Sequence, residues 1–171
     1  MPFDLVEEHR MLRDVVAKFV DNELMPLEKA VLDREMSGGK VGLTAAEEAP
    51  ILKKCKELGL WGLDAPEEFG GANLSVVALM AVHEEIGRTV VPFTFPPDSP
   101  NLHMLMATAS PVQRQKYLEP YARGEAVSAI AISEPGAGGD PAGMTTRATQ
   151  EGDSWVINGR KIWISRVPYA D

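Results

Sequence analysis

The hydrophobic pattern changes period once, near Gly124, and that change constrains the fold more than any other feature of the 171-residue chain. Before it, apolar residues recur every three or four positions, the spacing of helices that bury one face. Leu5, Leu12, Val15, Val16, Phe19 and Val20 trace the first such face, with Asp4 and Glu7 placed as a capping pair. Pro26 interrupts this helix, a second stretch follows to about Met36, and Ser37-Gly38-Gly39-Lys40 reads as a connection. The next helix has two possible starts, Thr44 with Glu47 as a capping box or Ala49 with Pro50 in the first turn, and its end is marked by Leu58-Gly59. Ser75 can cap a helix from Val76 to about Gly87 that is apolar around most of its circumference, which predicts a central position. Four prolines between Val91 and Pro100 exclude a long helix there, whereas Leu102 to Ala109 can form a short one. Ser110-Pro111 with Gln113 opens a last helix, which stops at Gly124.

Beyond Gly124 the period becomes that of strands. Ala126 to Ser133 is small, β-branched and nearly uncharged, which predicts a buried strand, and Met144 to Thr149 alternates in character. Ser154 to Ile157, then Asn158-Gly159, then Arg160 to Ser165 predicts a hairpin, because Asn-Gly favours the positive φ angles of a tight turn. The fold class expected is therefore mainly α: a helical domain over residues 1–124, then an antiparallel β-domain from 125 to 171, left incomplete. A chain of this length accommodates one domain, or one domain and a fragment of a second.

Charge narrows the possible partners. The chain carries 17 basic and 25 acidic residues, and the excess lies in residues 1–85, with 17 acids and 9 bases, against 8 of each in the remainder. Lacking a Lys/Arg stripe, it is not expected to bind nucleic acid. Cys55 is the only cysteine, the first residues have neither the basic nor the apolar part of a signal peptide, and the longest apolar run, Leu74 to Val82, is too short to span a membrane. A cytoplasmic protein without a membrane span is expected.

Few residues announce chemistry. Glu134-Pro135-Gly136-Ala137-Gly138-Gly139-Asp140 follows the expected buried strand, and consecutive glycines let backbone N–H groups approach an anionic group. It is neither a Walker loop nor a dinucleotide fingerprint, and on loop chemistry alone it reads first as a plain structural turn. Trp163 and Ser165, two apart on an expected strand, would share a face and could stack on and hydrogen-bond a flat heterocycle, although a Trp at the edge of a core has the same pattern. His9, His83 and His103 have no metal-ligand spacing, so no metal is expected. Cys55 has no His nearby and reads as a packed thiol. The pairs Glu47-Glu48, Glu67-Glu68 and Glu84-Glu85 read as solvated faces.

Three ordered motifs carry a resemblance: Leu58-Gly59-Leu60-Trp61-Gly62-Leu63 with Pro66-Glu67-Glu68-Phe69-Gly70-Gly71, then Ala131-Ile132-Ser133-Glu134-Pro135-Gly136-Ala137-Gly138-Gly139-Asp140, then Trp155-Val156-Ile157-Asn158-Gly159-Arg160-Lys161-Ile162-Trp163-Ile164-Ser165. With them the sequence resembles the N-terminal part of the flavin-dependent acyl-CoA dehydrogenases. The resemblance implies an N-terminal helical domain, the start of a middle β-domain, and FAD as cofactor. It implies that Ile130, Ile132 and Ser133 line the flavin ring, that Gly138 and Gly139 lie by its diphosphate, with Gly139 also by the acyl-CoA, and that Trp163, Ile164 and Ser165 flank the flavin, Trp163 over its face and Ser165 near N5. It further implies α,β-desaturation of an acyl-CoA thioester to a trans-2-enoyl-CoA, an electron-transfer flavoprotein as acceptor, and a homo-oligomer. The catalytic carboxylate is expected in a C-terminal helical domain that residues 1–171 do not contain, so none of the present residues is assigned as the base. A non-catalytic partner subunit, an acyl-CoA oxidase and a flavin monooxygenase of the same fold are the alternatives. Ser is usual in the family where Gly139 stands, and Thr is frequent at positions 133 and 165, where Ser keeps the hydroxyl.

Overall fold

A computed structural model describes residues 5–97, 99–165, 167 and 170. The cap expected of Asp4 lies outside the described residues. Two compact units divide the chain, Met1–Ser99 and Pro100–Asp171.

In the first unit, α1 (Glu7–Phe19) begins at Val6 in extended conformation without a side-chain cap. Its buried face, Val16 and Phe19, continues through Val20 and Leu24; of the expected stripe, Val16, Phe19 and Val20 are core, Leu12 is partly buried against it, and Val15 is exposed. Over Val20–Leu24 the helix widens to a π-turn, and Met25–Leu27 tightens to a 3-10 turn before α2 (Glu28–Met36). Pro26 explains this, because it has no N–H for the carbonyl of Asn22 and its ring would clash there. The same device recurs in the second unit, where the π-turn Arg114–Leu118 surrounds Lys116, four residues before Pro120. Both interruptions are dictated by where a proline falls in the sequence.

Of the two possible starts for α3 (Ala45–Glu57), the structure takes Thr44 and leaves Pro50 inside the helix. Thr44 Oγ1 accepts from the Glu47 amide at 3.3 Å, and the Glu47 carboxylate accepts from the Thr44 amide at 2.7 Å, a reciprocal box that satisfies two orphan donors. Its other end closes as a Schellman motif: Leu60 N–H donates to Cys55 O at 2.8 Å, Gly59 N–H to Lys56 O at 3.2 Å, and Gly59 has φ 69°. Arg34 reaches Glu47 at 3.1 and 2.9 Å and Gly42 O at 2.9 Å, so one guanidinium ties the connection after α2 to the start of α3.

Ser75 caps α4 (Val76–Ile86) through the Ala78 amide, as its position suggests. The expected central position is corrected: α4 packs on α1, burying Ala78, Ala81 and Val82, while Val76, Val77 and Met80 are exposed. A helix apolar nearly all round carries no signal for which face its neighbour will cover, and here the face with small side chains admits α1. Phe19, Phe93 and Phe95 pack with ring centroids 5.5–5.7 Å apart against this core.

In the second unit, α5 (Ser99–Thr108) precedes a helical run through Pro111–Gln113, Arg114–Leu118 and Glu119–Arg123. Ser110 and Gln113 form the expected capping box, and Gly124, with φ 72°, ends the run. The strands depart from expectation. β1 (Arg147–Glu151) and β2 (Ser154–Asn158) pair antiparallel, with Glu151 opposite Ser154, so the hairpin turns at Gly152-Asp153 and not at Asn158-Gly159. Gly152 takes φ 62°, and Gly at the first of two loop residues supplies the positive φ that a tight hairpin turn needs. Residues 126–133 form no ladder, and neither do 160–165. An extended run becomes a strand only where another strand presents its backbone groups, and the described residues supply one such pairing.

Candidate functional site

Glu134 organises the Gly-rich loop. Its side chain is buried, and four donors converge on it: Thr145 N at 2.7 Å and Thr145 Oγ1 at 2.9 Å on Oε2, Thr146 N at 3.0 Å and Lys161 Nζ at 2.9 Å on Oε1. The Thr146 hydroxyl, the Thr145 amide and the Lys161 ammonium hold this carboxyl well below the usual carboxylate range. The Thr146 hydroxyl is buried without a hydrogen-bond partner, so the two amides, the Thr145 hydroxyl and the ammonium carry the effect.

From this anchor the loop turns tightly, with Ala137 N–H donating to Glu134 O at 3.2 Å and Ala137 buried. Asp140 closes it by accepting from the Ala142 amide at 3.0 Å. Between these two fixed points Gly136, Gly138 and Gly139 face open space, where an added Cβ would meet nothing within 4 Å. Their backbone is therefore accessible to a bulky anionic ligand.

The segment after β2 is tied to the same place. Ile162 N–H donates to Ser133 O at 3.0 Å, and Lys161 Nζ donates to Ile132 O at 2.9 Å. The structure thus brings Ile132, Ser133 and the stretch leading to Trp163 together. It does not place Trp163 and Ser165 on one strand face, because 160–165 lacks a ladder and Trp163 takes φ 56°, a rare conformation for a residue with a side chain. Trp163 is 87% exposed and Ile132 50%. Ile130 and Ser165 are also exposed, whereas Ser133 and Ile164 are partly buried. Trp163 is exposed and follows Ile162, which bonds Ser133 at the entry to the open Gly-rich loop, so an aromatic ring and backbone open to an anion lie on two segments joined by a hydrogen bond.

Sequence reasoning missed Glu134, Lys161, Thr145 and Thr146. No local spacing connects Glu134 to Lys161, which lie 27 positions apart. Gly159 was expected to be a turn residue, but its role is close approach: a Cβ there would lie 2.2 Å from Thr146 Oγ1. Elsewhere, burial pushes the Cys55 thiol up to about 12, as fits a packed thiol. Among the described residues no helix is long and apolar enough to cross a membrane.

Comparison with known proteins covers nearly the whole chain. Residues 6–125 match the acyl-CoA dehydrogenase N-terminal domain, and residues 129–171 match the acyl-CoA dehydrogenase middle domain. The (R)-benzylsuccinyl-CoA dehydrogenase of Thauera aromatica is 45% identical over 97% of this chain and 43% of its own length. The structure of a putative acyl-CoA dehydrogenase from Mycobacterium abscessus superposes with a TM-score of 0.78 at 34% identity, covering 95% of this chain and 43% of that one. That of a glutaryl-CoA dehydrogenase from Mycobacterium smegmatis in complex with FADH2 superposes at 0.74 with 26% identity, covering 98% and 41%. The chain thus spans about two-fifths of the length of the relatives it matches.

Proposed function

Because the chain belongs to the acyl-CoA dehydrogenase family, we propose that it forms the N-terminal part of an FAD-dependent acyl-CoA dehydrogenase. In this reading residues 1–124 are the helical domain and 125–171 open the middle β-domain. The observation that carries it is the open Gly-rich loop held beside an exposed Trp163 through the Ile162–Ser133 hydrogen bond. The complex of a structural neighbour with FADH2 supports the choice of flavin.

Each residue then has a part. Ile130 and Ile132 offer apolar surface to the flavin ring, and Ile164 backs it from the other segment. Ser133 and Ser165 direct hydroxyls to its edge, and Trp163 covers one face and excludes water there. The amides around Gly138 and Gly139 face the diphosphate, and Gly139 also lies by the CoA moiety of the substrate. When bound, the flavin supplies the hydride acceptor for α,β-desaturation of the acyl thioester.

The base that removes the α-proton lies outside residues 1–171 in this reading. Glu47 and Glu134 both titrate below the usual carboxylate range, which is opposite to what a base working near neutral pH requires. Residues 1–171 alone are then catalytically incomplete. The whole protein acts in the cytoplasm as a homo-oligomer and passes electrons to an electron-transfer flavoprotein.

The test is anaerobic mixing of the full-length flavoprotein with a panel of acyl-CoA thioesters. Bleaching of the flavin band with formation of the enoyl thioester is expected. A full-length protein that neither carries flavin nor takes it up would overturn the proposal, and oxygen consumption with an acyl-CoA would redirect it to an oxidase.

A further inference from the structure

Resting on the flavin reading above, we infer that Lys161 and Glu134 form a preset latch, which positions Trp163 and Ser165 against Ser133 before any flavin arrives.

A lysine beside a Gly-rich loop invites assignment as a phosphate ligand. The contacts of Lys161 say otherwise. An ammonium has three donors, and this one has three partners: Ile132 O at 2.9 Å, Glu134 Oε1 at 2.9 Å and Met144 Sδ at 3.5 Å. Its charge is already matched by a buried carboxylate whose remaining acceptor positions are filled by Thr145 and Thr146. Lys161 is therefore turned inward and serves as a positioning residue.

What it positions follows from the backbone. No ladder holds residues 160–165, so the path to Trp163 depends on the Ile162 N–H to Ser133 O bond and on the Lys161 side chain one residue earlier. The two ties land on consecutive carbonyls, those of Ile132 and Ser133, and fix both the separation and the rotation of the segment. Trp163 departs from these anchors at positive φ and is exposed, so its placement relies on the residues before it and not on packing of its ring. Glu134 completes the device by joining the loop, the start of β1 and the 161–165 segment through a single carboxylate.

The test uses the full-length holoprotein with FAD as probe. Lys161→Met keeps the aliphatic stem and removes the donors, and Lys161→Arg restores a charge to Glu134. In Lys161→Met, FAD dissociation is expected to quicken roughly tenfold or more and the visible circular dichroism of the bound flavin to change, with far-UV circular dichroism unaltered; Lys161→Arg is expected to recover much of both. A folded Lys161→Met protein with parental FAD dissociation and flavin dichroism would overturn the latch. A second measurement needs no variant: amide hydrogen exchange of Thr146 and Ile162 in the flavin-free parent protein. Protection there is expected because the latch is preset, and exchange at the rate of an unstructured chain would overturn it. A full-length parent protein that takes up no FAD when it is supplied, yet keeps these amides protected, would sink the functional reading and, with it, the role of the latch toward flavin, a result distinct from failure of the latch itself.

Discussion

Lys161 Nζ lies 2.9 Å from Glu134 Oε1, and this one contact joins the end of the hairpin to the beginning of the Gly-rich loop. Around it the second unit arranges everything that its candidate site uses. Thr145 and Thr146 bring the approach to β1 onto the same carboxylate, and Ile162 bonds Ser133 one residue away from both partners. A buried carboxylate left without these donors would be costly, so the site residues are held by a polar centre and not by an apolar core.

Acid should release this centre. Glu134 titrates below its ordinary value of 4.5 when folded, so its contribution to stability is complete above that value and is lost as pH falls toward its lowered folded value. Amide resonances of Thr145 and Thr146 are expected to hold constant through the range where an ordinary glutamate titrates, around 4.5, and to move only well below it. Glu134→Gln should remove that pH dependence.

Thr44→Ala should cost about 1 kcal/mol of stability in the first unit, measured by urea denaturation, because it strips the cap from α3. Glu47 provides a second reading of the same corner. Its carboxyl is lowered to about 2 by the Arg34 hydrogen bond first and then by the Thr44 amide and hydroxyl. Stability from Glu47 is present above its ordinary value of 4.5 and fades as pH drops toward about 2, so Glu47→Gln should flatten the urea midpoint across that window.

Cys55 should resist thiol reagents in the folded protein. With its thiol pushed up to about 12 by burial and, to a lesser degree, by Glu23, the thiolate at pH 8 is scarce. Labelling by iodoacetamide is expected to run roughly a thousandfold slower than for an exposed thiol, and to become fast in urea.

Two glycine substitutions separate site from scaffold. Gly139→Ser adds side-chain atoms into open space and should leave the melting temperature of the full-length protein unchanged while tightening FAD or acyl-CoA, since this restores the hydroxyl that is usual in the family. Gly71→Ala would put a Cβ 2.0 Å from Ala65 O, a backbone atom that cannot yield cheaply, and should destabilise the protein by about 3 kcal/mol or more. Equal melting temperatures for Gly71→Ala and the parent would contradict the packing of residues 60–74.

Local signals read well. The caps at Ser75 and Ser110, the stops at Gly59 and Gly124 and the Val16, Phe19 and Val20 part of the first stripe all depend on residues within one or two turns of each other, and all are present. Thr44 and Pro50 offered two local starts that the residues alone did not rank, and the turn expected at Asn158-Gly159 falls at Gly152-Asp153, which the sequence reading did not single out. The Thr44 box gains from Arg34, ten positions upstream and visible only in the folded chain.

The sequence by itself determined the order of helices before strands, most of the helix ends, the interruption at Pro26 and the presence of a Gly-rich loop, because each is set by backbone preferences and near-neighbour hydrogen bonds. Only the tertiary structure decided which face of α4 is covered, where the hairpin turns, and that Glu134 and Lys161 meet. These depend on groups far apart in the chain competing for the same donors, acceptors and surface, and such competition leaves no local pattern to read.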